Sequence, residues 1–141
     1  MNRILVDSDV LLDVLMERQP FVVASARVLS WTAESDHEGM VAGHAITNMF
    51  YILRRKVGRQ DAIRLLSEIT QILSIASITE SVINQALKSN MVDFEDAVTS
   101  MAAEANGAEA LVTRNIPDFV KSQIPALSPD QFLQQLSLKN D

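Results

Sequence analysis

The chain contains no cysteine. That excludes disulfides, thiolate metal sites and cysteine nucleophiles together, and it fits a reducing cytoplasm. No apolar run approaches the length of a membrane span. Asp7, Asp9 and Asp13 interrupt the apolar N-terminal segment, so no export leader is expected there. Positive charge is scarce: 12 lysines and arginines face 18 aspartates and glutamates, for a net charge of −6. Holding nucleic acid by bulk electrostatics is thereby excluded. A polyanionic substrate would have to be met by local basic patches or bound cations. The acidic balance also suits a partner with a basic arm. Glycine-rich phosphate loops of the Walker or Rossmann kind are missing, as is a nucleophile elbow. The two histidines, His37 and His44, have no partner at ligand spacing. His37 is expected on the surface, and His44 at a helix start. Aromatics are few, and Phe21, Phe50, Tyr51, Phe94 and Phe119 are expected in the core or at an interface.

What is present is a chain of 141 residues, 48% of them hydrophobic. That is enough for one domain, residues 1–141, with a sizeable core. "RILV" (3–6) is an unbroken apolar run of the kind a strand covered on both faces shows. Pro20 is placed in a first helical turn, followed by Val22, Ala26, Leu29 and Ala33 on one helix face. "GMVAG" (39–43) predicts a second strand, and 45–56 a helix stopped by Gly58 with cations in its last turn. Helical spacing continues over 59–73, where Ala62, Leu65, Leu66, Ile69, Ile72 and Leu73 recur. "LSIAS" (73–77) predicts a third strand, 79–89 a helix with Val82, Ile83, Ala86 and Leu87 inward, and 93–106 another, closed by Gly107. "EALVT" (109–113) and "PALS" (125–128) complete the strands. Ser128 and Gln131 form a capping box around Pro129, opening a C-terminal helix.

Alternating strands and helices predict an α/β fold with a mostly parallel sheet. Ligands then bind beyond the carboxyl ends of the strands. Asp7 and Asp9 follow strand one, "DFED" supplies Asp93, Glu95 and Asp96, and "TRNIPDF" supplies Thr113, Arg114, Asn115 and Asp118. Asp93 and Asp96 are three apart and share a helix face. Converging carboxylates repel unless a cation lies between them, and oxygen ligands without sulfur favour Mg²⁺ or Mn²⁺. Such an ion makes phosphodiester hydrolysis accessible. Each acid also has a plainer role. Asp7, Asp9 and Asp93 can cap helices, Asp118 can start a turn after Pro117, and Asp13 reads as ordinary surface. Arg114, beside the acids, is a candidate phosphate contact. Arg54 and Arg55 are others, although helix-end charge explains them too.

From Ile4 to about Leu136 the chain resembles the PIN domain nucleases, a group that includes bacterial toxins of the VapC type. The segments that carry the likeness are "LVDSDVLLDVL", "ITNMFYILRR", "DFEDAVTSMAAEANGAEALVTRNIPDF" and "IPALSPDQFL". The resemblance implies a three-layer α/β/α fold with a five-stranded parallel sheet. It implies a Mg²⁺ or Mn²⁺ site at which metal-activated water cleaves single-stranded RNA. A homodimer and an antitoxin protein as a candidate partner are expected with it, and the missing cysteines, leader and membrane span predict a cytoplasmic protein. Asp7, Asp96 and Asp118 match the family's metal-binding acids. Asp93 and Asp9 are additional acids, Asp9 standing where asparagine is usual, and Thr113 and Asn115 are supporting residues. There is one departure: the glutamate common in the helix after strand two is Asn48 here. An amide brings an oxygen but no charge, so metal affinity should fall. The replacement motivates a non-catalytic reading, a PIN-like binding or dimerisation module. A third reading takes "ILVDSDVLL" as a haloacid dehalogenase-type phosphatase opening, with Asp7 as nucleophile and Asp9 as acid/base.

Overall fold

A computed structural model describes residues 1–139. Five strands, β1 (Arg3–Val6), β2 (Glu38–Ala42), β3 (Ser74–Ala76), β4 (Ala110–Val112) and β5 (Ala126–Leu127), form one sheet in the order β3-β2-β1-β4-β5. Every pairing is parallel. Ile4, Leu5 and Val6 of β1 and Ala110, Leu111 and Val112 of β4 are buried. Both faces of these two central strands are therefore covered, which explains their unbroken apolar sequence.

Seven helices flank the sheet among the described residues: α1 (Ser8–Leu15), α2 (Val22–Thr32), α3 (Gly43–Val57), α4 (Arg59–Ile72), α5 (Glu80–Lys88), α6 (Phe94–Ala105) and α7 (Pro129–Lys139). A short 3₁₀ turn, Ile116–Phe119, separates β4 from β5. Helix α1 packs on α2 and α3, α3 on α4, and α2 on α7, whereas α5 packs on α6 and α6 on the 3₁₀ turn. These two groups are the outer layers of an α/β/α sandwich. The chain moves from β1 outward through β2 to β3, then returns to β4 and leaves the other way to β5. With right-handed crossovers, that reversal puts the two helix groups on opposite faces. It also opens a crevice at the carboxyl ends of β1 and β4.

Element ends follow the capping chemistry. Thr79 accepts from the Val82 amide to start α5. Ser128 and Gln131 form the reciprocal capping box of α7, the Ser128 amide donating to Gln131 Oε1 at 3.0 Å and the Gln131 amide to Ser128 Oγ at 3.1 Å. Gly58 divides α3 from α4 with φ at +85°, a conformation that favours glycine.

Three expectations are corrected. Helix α2 begins at Val22, after Pro20, and its buried face is Ser25, Val28, Leu29 and Thr32 with Trp31, in place of the Val22–Ala33 stripe. Polar Ser25 can point inward because it donates to the Asp13 carboxylate at 3.3 Å. His37 is only 18% exposed in its side chain and stacks on Trp31 with ring centroids 3.9 Å apart. Leu87 is largely exposed, and α5 buries only Val82 and Ala86 fully.

Gly39 in β2 sits where α2 and the α4–β3 junction come closest. A Cβ added there would lie 2.5 Å from Thr32 Cγ2 and 2.6 Å from Leu73 Cδ2. Thr32 cannot swing aside freely, because its hydroxyl donates to the Leu29 carbonyl at 2.6 Å. Gly39→Ala should therefore destabilise the fold by about 1–3 kcal/mol, seen as a lowered midpoint in thermal or urea unfolding.

Candidate functional site at the carboxyl ends of β1 and β4

The register that pairs Val6 with Val112 sets Asp7 opposite Thr113, the first residues beyond the two strands. The Asp7 amide still donates to the Val112 carbonyl at 2.9 Å, so the ladder continues into the site. The Asp7 carboxylate then serves two elements. Oδ1 accepts from the Ser8 amide at 2.9 Å and caps α1. Oδ2 accepts from the Thr113 hydroxyl at 2.8 Å. Thr113 is fully buried, and its Oγ1 accepts from the Asn115 amide at 3.0 Å, which leaves its proton directed at Asp7.

Asp9 stands in the first turn of α1. Its Oδ2 accepts from the Arg114 amide at 3.1 Å and from Asn115 Nδ2 at 3.0 Å. Its Oδ1 is buried and has no hydrogen-bond partner. Helix α6 approaches from the other layer. Asp93 caps it, accepting from the Asp96 amide at 2.9 Å, and Glu95 faces solvent. Asp93, Asp96 and Asp118 line a cleft of about 240 Å³ together with Lys121, whose Nζ donates to the Asn90 carbonyl. Across the sheet edge, His44 in the first turn of α3 places Nε2 3.2 Å from Thr99 Oγ1 and 3.3 Å from the Glu95 carbonyl, tying α3 to α6. Asn48 follows one turn later on α3, half-buried.

The electrostatics are those of acids with little counter-charge, the Arg114 cation near Asp9 being the one that acts on them. Burial pushes Asp7 up from 3.8 to about 7, and neighbouring Asp9 adds to the rise, while the Thr113 and Ser8 hydrogen bonds oppose it. Asp96 is raised to about 6, first by burial and then by Asp93, Asp118, Glu95 and Asp9. Asp9 is raised too, mainly by burial, with the Arg114 amide opposing. Burial lowers His44 and favours its neutral form, while the hydrogen bond to the Glu95 carbonyl and the Glu95 charge oppose. Among the described residues, no three histidine, aspartate or glutamate side chains form a ready metal cage. The acids lie within electrostatic reach of one another but are not gathered. A divalent cation of the Mg²⁺ type requires no such cage, since it commonly takes one or two carboxylates and keeps its waters. The unpartnered Asp9 Oδ1 and the uncompensated Asp7 and Asp96 carboxyls fit such a group.

Three expected phosphate contacts sit elsewhere. Arg114 turns its guanidinium away from the cleft, onto Asp13 and over the Phe21 ring. Arg54 and Arg55 occupy the last turn of α3. A helix that follows a strand runs back along it, so these arginines lie about 16 Å of helix rise beyond His44, toward the amino edge of the sheet. Asp13, read as surface, is completely buried. It follows Leu11 and Leu12, both buried, in one apolar run, and Arg18 stands five residues later. An acid inside an apolar run with a cation close behind was the available signal.

The sequence model of the PIN domain family matches residues 3–117. The chain belongs to the PIN domain family. The haloacid dehalogenase reading loses its basis with that match. Among curated proteins none matches at the sequence level. Solved structures show the PIN fold at low identity. VapBC-1 from nontypeable Haemophilus influenzae superposes with a TM-score of 0.71 at 12% identity, over 91% of this chain and 98% of that one. A toxin–antitoxin complex from Klebsiella pneumoniae gives 0.67 at 19%, over 89% and 96%. The sarcin–ricin loop cleaving toxin VapC20 of Mycobacterium tuberculosis gives 0.62 at 16%, over 77% and 86%. Among the described residues no helix of this PIN domain is long and apolar enough to cross a membrane.

An aspartate raised in the folded state holds more protons folded than unfolded between pH 3.8 and about 7. Stability through Asp7 is therefore highest at the acid end of that window and declines as pH rises. Asp7→Asn mimics the protonated acid: its one oxygen still caps the Ser8 amide, and its Nδ2 donates to Thr113 Oγ1, whose hydroxyl turns to suit. It should raise the thermal midpoint by roughly 2–8 °C at about pH 8 and leave it unchanged near pH 4. Calorimetry at the two pH values checks this.

Proposed function

We propose that this PIN domain is a divalent-metal-dependent ribonuclease that hydrolyses single-stranded RNA and acts as the toxin of a toxin–antitoxin pair. We further propose that it works as a cytoplasmic homodimer. The observation that carries the reading is the set of half-buried acids at the topological switch point, Asp7 and Asp96 both raised by burial, with Asp9 Oδ1 left unpartnered. Family membership supports the chemistry, because PIN nucleases generally use divalent metal ions. The antitoxin partner is supported by relatives of the same fold that were solved as toxin–antitoxin complexes.

Asp7, Asp9, Asp96 and Asp118 are the residues that would hold the ion, with Asp93 at the rim. When bound, Mg²⁺ or Mn²⁺ polarises a phosphate oxygen and lowers the pKa of water. The chain's own residues set the geometry for that chemistry. Thr113 orients the Asp7 carboxylate, the Asp93 cap fixes the first turn of α6 and with it Asp96, and Lys121 places a cation on the cleft wall for an RNA phosphate. Asn48 supplies an oxygen without charge, so the site should bind metal more weakly than one with glutamate there.

Labelled single-stranded RNA should be cleaved in Mn²⁺ or Mg²⁺ and spared in EDTA. Asp7→Asn and Asp96→Asn should each lower the rate by roughly 100-fold or more, beyond what losing an outer-shell partner costs. Cleavage indifferent to both substitutions would place the chemistry elsewhere. Metal binding without cleavage would favour the binding-module reading that Asn48 motivates.

A further inference from the structure

We infer that Asp13 is a positioning residue for Asp9, acting through Arg114 and Arg18, whose side chains it holds while each also bonds Asp9. The inference rests on the reading above, in which the Asp7–Asp9–Asp96 cluster takes a divalent cation.

Asp13 has no exposure at all. A buried carboxylate is costly unless it is both paired and hydrogen-bonded. Here Arg114 meets it fork to fork, Nε on Oδ2 at 2.7 Å and Nη2 on Oδ1 at 3.0 Å. Arg18 Nε lies 3.0 Å from Oδ1 as an ion pair without hydrogen-bond geometry, the Ser25 hydroxyl donates to Oδ2, and the Arg18 amide closes the turn onto the Asp13 carbonyl at 2.9 Å. The guanidinium of Arg114 also sits 3.9 Å above the Phe21 ring. Planar, two-point recognition of this kind fixes an arginine more tightly than a point charge could.

Both arginines reach Asp9 with their remaining donors. The Arg114 amide bonds Asp9 Oδ2, and Arg18 Nη2 donates to the Asp9 carbonyl at 3.1 Å. Asp9 is thus held at its backbone and at one carboxylate oxygen, and Asn115 Nδ2 shares that oxygen. The orientation of the free oxygen, Oδ1, follows from these bonds. The buried acid one turn along α1 sets it. Arg114, which the sequence marks as a phosphate contact, has its guanidinium committed to this task instead.

The full chain and the variants Arg114→Lys and Asp13→Asn decide the matter. Mn²⁺ affinity is read by electron paramagnetic resonance, and RNA cleavage by steady-state kinetics. Arg114→Lys keeps the charge and the amide on Asp9 but loses the fork and the stacking. It should bind Mn²⁺ about 10–100-fold more weakly, with kcat lowered at limiting metal, restored at high Mn²⁺, and KM for RNA unchanged. Asp13→Asn should behave alike; should it fail to fold, Arg114→Lys decides alone. Wild-type Mn²⁺ affinity in Arg114→Lys would overturn the inference. So would a salt-dependent rise in KM at constant kcat, which would make the guanidinium a phosphate contact after all. A wild type that binds Mn²⁺ without cleaving RNA counts against the ribonuclease reading, and the affinity comparison still decides this one. A wild type without Mn²⁺ affinity overturns both.

Discussion

The pairing of β1 with β4 is the constraint on which the molecule turns. It joins the two strands from which the chain departs in opposite directions, and both are buried on both faces. Strand ends in such a position cannot be covered by the crossover helices, because those helices leave to either side. Polar residues are therefore admitted at Asp7 and Thr113, immediately after six core residues that admit none. The hydrogen bond between those two side chains closes the ladder with a carboxylate.

Most of the fold was legible because the strands are apolar runs and the helix ends carry their own punctuation. Thr79, Asp93, Ser128 and Gly58 each act at the boundary their chemistry suggests. The acids Asp7, Asp9 and Asp96 were legible as a group once the strand order made their ends neighbours. Asp93 and Asp7 keep their plainer capping roles as well. Asp13 and Arg114 were misjudged for one shared reason. Sequence gives the charge of each, but only the approach of α1 to the β4 loop shows that each is spent on the other. The polar face of α2 was missed for the same cause, since Ser25 points inward toward a partner on α1. The removal of Arg54 and Arg55 from the acids follows from helix direction.

Two kinds of acid coexist along α1, one fully buried and the other half-buried. Asp13 is neutralised by two guanidinium groups and holds elements together. Asp7 and Asp9 receive neutral donors only, apart from the nearby Arg114 charge, and burial works against their ionised forms. The first kind contributes cohesion, whereas the second is a standing electrostatic tension. A fold that places them side by side separates its scaffold from its chemistry by the sign of the nearest charge.

The register Ile4–Ala110, Leu5–Leu111, Val6–Val112 carries one more consequence. Side chains along a strand alternate between faces, so a slip of one residue turns every one of them over. Asp7 and Thr113 lie one step past the last pair. Their orientation is therefore counted off from the core, residue by residue, by Leu5 and Leu111 choosing their helix layers. The stretches 4–7 and 110–113 can change composition but not length: a single inserted or deleted residue in either would carry its polar residue to the opposite face. In this domain the spacing of the apolar residues is as much a part of the site as the acids themselves.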